Sequence, residues 1–194
     1  MELVVVGGAN GAGKSTLFKD MFQRHARIDP DEIGRLDRDA AGMTPALSAG
    51  RSALTAAYAA IDASRPLVFE STLAGRTAFA LAEAARKRGY RVTCLYVMLG
   101  DADAHVKRVR DRVAMGGHNV PDDVVRRRFD RSRTNFIRHL DAFDMAFIVD
   151  NTDKPQPVAH IDASRVRVFV SNDLTNAILD ARAKAKRRLN ARSP

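Results

Sequence analysis

A single cysteine among 194 residues leaves no partner for a disulfide within the chain. That thiol, Cys94, lies inside the apolar run VTCLYVML, which predicts a buried core residue and suits a reducing, cytoplasmic setting. Tryptophan is absent and aromatic residues make up 6% of the chain, so platforms on which nucleic-acid bases could stack are scarce. No apolar run approaches the ~20 residues that cross a bilayer, which argues against a membrane protein. The amino end has no charged segment leading into a long apolar stretch, and no secretion signal is expected.

Positive charge, by contrast, is plentiful: the formal net charge is +9. Residues 105–139 carry ten Lys/Arg against four Asp/Glu, and residues 174–194 carry six against one. A field so placed attracts phosphates in general, whether on a nucleotide, a lipid or RNA. Short apolar runs at 3–6, 66–70, 91–99 and 145–149 alternate with helical patterns, which predicts an α/β fold with a mostly parallel sheet flanked by helices. Their near-continuous apolarity suits a sheet covered on both faces, whereas the alternating RVRVFVS (165–171) suits an edge. Residues 77–89 read as a helix ending at Gly89, and residues 151–160 read as a loop. Two basic helices, broken at Gly116-Gly117, form a lid over about 101–139. A C-terminal basic helix spans about 173–190, with Leu174, Ala177 and Ile178 on the face that packs on the core. One domain over residues 1–194 is expected.

The most specific signal is GGANGAGKST at residues 7–16. Gly8, Ala9, Asn10, Gly11, Ala12, Gly13, Lys14 and Ser15 satisfy G-x-x-x-x-G-K-[ST] at every fixed position, directly after a strand. Glycines let successive N–H groups turn inward around a phosphate, and a helix start adds partial positive charge. Lys14 then reaches the β- and γ-phosphates, Ser15 ligates Mg²⁺, and Thr16 completes the nucleotide-binding stretch. ATP and Mg²⁺ are the cofactors so implied. The order of the glycines is not that of a dinucleotide-binding loop.

In open α/β sheets the site lies beyond the carboxyl ends of the strands. Asp29 and Asp31, in RIDPDEIGR, are candidates to accept a proton from an acceptor hydroxyl. Asp29 also reads as the cap of a helix opening at Pro30, and Asp31 as a capping or surface charge. Glu70 ends an apolar strand, where a carboxylate is costly unless it is paired or near a metal; a structural cap is the alternative. Ser71, Thr72 and Arg76 follow on the same loop. Arg112, near the end of the first basic helix, and Arg126, Arg127 and Arg128 on the second are candidates to close over a transferring phosphoryl group. Most arginines in such a run are solvated charges, and one or two of these are expected to do chemistry. His118 reads as a loop-shaping residue.

Assembled in this order, GGANGAGKST, IDPDEI, FESTLAGR, YVML, RVAMGGHNVPDDVVRRRF and VDN resemble the zeta toxin family of P-loop kinases, and within it the stand-alone bacterial branch. The resemblance runs from about residue 3 to 151. It implies a doubly wound P-loop core and ATP- and Mg²⁺-dependent phosphorylation of a sugar hydroxyl of UDP-N-acetylglucosamine, with an antitoxin protein as a partner. By the same resemblance Lys14 and Ser15 take the lysine and magnesium-ligand roles. Asp31 becomes the base, Glu70 and Thr72 the substrate-binding pair, and Arg112 a transition-state arginine. A second such arginine has no counterpart, because Gly116, Gly117 and His118 occupy its stretch. One of Arg126–Arg128 would substitute, and with Arg76 we assign Arg127 to substrate binding. Two rivals remain open: a kinase for another sugar or a nucleoside, and a P-loop ATPase associated with nucleic acid.

Overall fold

The structure, a computed structural model, describes residues 1–30, 32–33 and 45–190, with the side chains of 45–47 and 188–190 left aside. Five parallel strands form its centre: β1 (Glu2–Gly7), β2 (Ala26–Ile28), β3 (Leu67–Ser71), β4 (Arg91–Met98) and β5 (Met145–Asp150). Two antiparallel strands, β6 (Gln156–Asp162) and β7 (Val166–Val168), extend one side, and the order across the sheet is β2-β3-β1-β4-β5-β6-β7. β7 is the edge that the alternating sequence predicts. Residues 156–162 correct the reading of 151–160 as a loop. Pro155 and Pro157 disguise the strand, and the register shifts at Ile148/Val149, next to Pro157, which has no N–H to give to the ladder.

The helices are α1 (Lys14–Leu17), α2 (Pro45–Asp62), α3 (Thr77–Lys87), α4 (Ala102–Ala114), α5 (Asp122–Arg138) and α6 (Asp173–Asn190), with a 3-10 turn at Leu140–Ala142. α1 is shorter than the motif leads one to expect. Bonds from Met21 N–H to Phe18 O and from His25 N–H to Phe22 O continue the chain as tight turns instead. Both faces of the central strands are covered, but unequally. Leu3, Val5, Phe69, Cys94 and Ile148 pack with α2, α3, α5 and α6 in the main core, while Val4, Val6, Val68 and Leu95 form a smaller cluster with Phe18 and Phe22.

Two contacts carry the fold toward the site. Tyr96 of β4 stacks on Phe136 of α5 with ring centroids 4.3 Å apart, and its hydroxyl meets Ser132 Oγ at 3.2 Å. Burial pushes that phenol up to about 12. Asn135 Nδ2 of α5 donates to Leu73 O at 3.0 Å, which holds the loop after β3 against the helix. α4, α5 and the segment between them share a small apolar seam of Val106, Val109, Val120 and Val125. Their charged faces turn outward, as amphipathic helices require.

Candidate active site

The phosphate loop sits at the carboxyl end of β1, between β3 and β4. Its glycines are sterically required. A Cβ on Gly11 (φ +81°) would lie 2.6 Å from the His105 carbonyl oxygen, and one on Gly13 (φ +86°) would lie 2.5 Å from Asn151 Nδ2. The loop is therefore clasped from outside by α4 and by the residues after β5. Lys14 curls over it, donating from Nζ to Gly8 O at 2.8 Å and to Ala9 O at 3.3 Å. The ammonium thus lies against the residues that would surround a phosphate, held by neutral carbonyls that a charged oxygen outcompetes.

Ser15 and Glu70 meet beside it. Ser15 Oγ donates to Glu70 Oε2 at 2.8 Å, and Arg27 Nη2 donates to Glu70 Oε1 at 2.6 Å. Glu70 is 5% exposed, so its carboxylate needs both partners. A hydroxyl and a carboxylate side by side form a hard oxygen donor set of the kind magnesium prefers, completed in such sites by phosphates and water. The sequence pointed to Glu70 but not to Arg27. Arg27 pairs in register with Val68, two residues before Glu70 on the same face of β3. Finding it required knowing that β2 lies beside β3.

The other candidates fall into two groups. Asn10, buried at 4% exposure, is gripped at both ends: its carbonyl by His105 Nδ1 at 2.8 Å, its side-chain oxygen by Arg128 Nη1 at 3.0 Å. Of the arginine triplet, Arg128 thus reaches the loop, Arg126 pairs with Asp103, and Arg127 stands exposed. Ala12 O accepts from Asn151 Nδ2 at 2.9 Å, and Arg108 Nη2 donates to the carbonyls of Asn151 and Thr152. His105, Arg108 and Asn151 were not singled out by the sequence, although VDN belongs to the family pattern.

Arg112 is bonded across its own turn, from Nη2 to His118 O at 2.8 Å, and its stem packs on Gly117. Thr72 Oγ1 accepts from Ala74 N–H at 3.4 Å, and Arg76 is exposed just before α3. Asp29 is buried, and its carbonyl oxygen accepts from Ile33 N–H at 3.0 Å. Asp31 lies outside the described residues.

Strand order, loop and buried carboxylate together define one class, the P-loop kinases. Within that class the comparisons are specific. The zeta toxin family model matches residues 2–163, and the chain belongs to that family. An uncharacterized protein of Haemophilus influenzae is 30% identical over 125 residues, covering 63% of this chain and 88% of that protein. A structure of the PezAT chromosomal toxin–antitoxin system of Streptococcus pneumoniae superposes with a TM-score of 0.61 at 16% identity, over 97% of this chain and 87% of that one. AvrRxo1-ORF1:-ORF2, solved with ATP, gives a TM-score of 0.70 at 14% identity, over 87% of this chain and 60% of that one. Likeness this distant speaks for the fold.

Proposed function

We propose that the chain transfers the γ-phosphoryl group of ATP, with Mg²⁺, to a hydroxyl of a nucleotide sugar of the UDP-N-acetylglucosamine kind. The observation that carries this reading is the Ser15–Glu70–Arg27 chain beside the phosphate loop, with the Glu70 carboxylate buried at its centre. It sets a carboxylate and a hydroxyl where triphosphate and acceptor would meet, and the family's sugar-phosphorylating activity supports the acceptor class. Bound there through Ser15, Mg²⁺ would neutralise charge on the phosphate oxygens.

The protein's own share is positioning and electrostatics, the main needs of phosphoryl transfer. Lys14 exchanges its carbonyl partners for phosphate oxygens. A cleft of about 250 Å³ beside α1, lined by Leu17, Phe18, Met21, Val149 and Pro157, offers an apolar berth for the nucleotide's base. Glu70, Thr72 and Arg76 face the acceptor, Arg112 closes over the moving phosphoryl group, and Asp31 aligns the attacking hydroxyl. PezAT's toxin–antitoxin character supports an antitoxin as the protein partner.

The deciding experiment incubates the protein with γ-labelled ATP, Mg²⁺ and a panel of nucleotide sugars, free sugars and nucleosides. Label on a nucleotide sugar is expected. Label found only on a nucleoside, or released only as free phosphate, would overturn the acceptor assignment. Asp31→Asn should bind ATP normally yet transfer at least about a hundredfold more slowly; undiminished transfer would remove Asp31 from its role.

A further inference from the structure

A loop can gather an anion with its N–H groups only if the carbonyls of the same peptides face away. In a trans peptide the C=O and N–H point in opposite directions across a rigid plane, and no cis bond occurs among the described residues. Whatever holds a loop carbonyl on the outside therefore aims the next residue's N–H inward. Side chains from beyond the loop hold two such carbonyls: Asn10 O meets His105 Nδ1 at 2.8 Å, and Ala12 O accepts from Asn151 Nδ2 at 2.9 Å. The amides on the far side of those two planes belong to Gly11 and Gly13.

We propose that His105 and Asn151 are positioning residues for the nucleotide: by anchoring the Asn10–Gly11 and Ala12–Gly13 peptide planes, they aim the Gly11 and Gly13 N–H groups at the triphosphate. This rests on the reading of the loop as an ATP site.

The surroundings of His105 support a directional role over a space-filling one. The side chain is 1% exposed, its ring lies 5.2 Å from that of Phe129, and its Nε2 is buried without a partner. An unpaired buried nitrogen is unfavourable, so a leucine would suit the space better if filling it were the whole requirement. A carbonyl can only accept, which puts the imidazole proton on Nδ1. Burial, reinforced by the Lys14 and Arg108 cations, lowers the group to about 4, so it stays neutral at ordinary pH and the tautomer persists. The two anchors are also braced together. Arg108, one turn on from His105, donates to the Asn151 carbonyl at 2.5 Å, and Arg128 holds Asn10 Oδ1. A polarised carbonyl strengthens the N–H of its own peptide as a donor, so each anchor improves both aim and strength.

The test measures calorimetric affinity for a non-hydrolysable ATP analogue with Mg²⁺, alongside KM for ATP and kcat. His105→Leu and Asn151→Leu should each weaken binding about tenfold, the value of one well-set hydrogen bond to a charged group. At saturating ATP, kcat should stay within about threefold of wild type. His105→Asn keeps a donor where Nδ1 was and should restore most of the affinity. His105→Gln, whose amide falls nearer the Nε2 position, should not. Wild-type affinity in His105→Leu, or an Asn variant as weak as the Leu variant, would overturn the proposal. Failure of the wild-type protein to bind the analogue would overturn the ATP reading and this inference with it; tight wild-type binding unaltered in His105→Leu would overturn the inference alone.

Discussion

The two ends of α4 differ in charge, with Asp103 in the first turn and Arg112 in the last, and they differ in use. Near its start, His105 and Arg108 are spent on backbone carbonyls of the phosphate loop and of the residues after β5. At its end, Arg112 bonds back across its own turn to His118 O, with Nε buried and unpartnered. A cation that holds two carbonyls of a neighbouring segment is scaffolding. A guanidinium held by one neutral carbonyl on a turn is easily drawn to a phosphate, whose charged oxygens accept more strongly. Proximity to an anion site therefore does not decide a basic residue's role; what it already holds does.

The largest expected effect breaks or sustains that contrast directly. Arg112→Ala should lower transfer at saturating ATP about a thousandfold, the scale of an arginine that closes over a phosphoryl group. Its melting temperature should move little. Arg108→Ala should do the reverse, costing about 1–3 kcal/mol of stability in urea titration because two carbonyls lose their donor. It should raise KM for ATP and reduce kcat by less than about tenfold. Equal losses of kcat in the two variants would erase the difference between the ends.

A pH series sharpens the scaffolding half. His105 in the fold sits at about 4, below the ordinary value near 6.5. As pH falls through 6.5, the unfolded chain takes up a proton there before the native protein can, and the native state loses relative stability. The stability due to the neutral ring is thus complete above about 6.5 and gone near 4, about 2 kcal/mol of it lost by pH 5. Lys14, Arg108 and Asp101 are the charges that act on the ring, and all remain in His105→Leu. Urea unfolding at pH 7 and pH 5 should therefore show wild type losing about that much more than the variant. Parallel losses would mean that the ring is readily protonated in the fold.

The same contrast separates what was legible in the sequence from what was not. The phosphate loop was readable because all its chemistry lies in eight consecutive residues. Glu70 was readable because a carboxylate closing a buried apolar strand has to be explained. Cys94 is buried as its apolar run required, and the terminal helix packs through Leu174 and Ile178, although Ala185 beyond them is exposed. The anchors were hidden by distance along the chain. His105 meets Asn10 across 95 positions and Asn151 meets Ala12 across 139, so no local pattern could pair them. Arg27 was hidden by strand order, since a cation on a three-residue strand gains meaning only when β3 lies alongside. β6 was hidden by its prolines, whose turn signal outweighs local propensity until β5 supplies a partner.

The smallest expected effect asks whether the anchoring belongs to one bond or to the whole helix. Asp101 caps α4, its Oδ1 accepting from Ala104 N–H at 2.8 Å, four residues before the imidazole. Asp101→Ala removes that cap and should cost about 1 kcal/mol, read as a modest fall in melting temperature. The apolar seam through Val106 and Val109 still seats the helix against α5, and the His105–Asn10 bond survives frayed residues before it. ATP affinity should then stay within about twofold of wild type, against the about tenfold loss in His105→Leu. If losing the cap weakened ATP as much as losing the imidazole, the loop would be following the helix as a body, and the contrast between the two ends of α4 would reduce to a difference in distance from the phosphates.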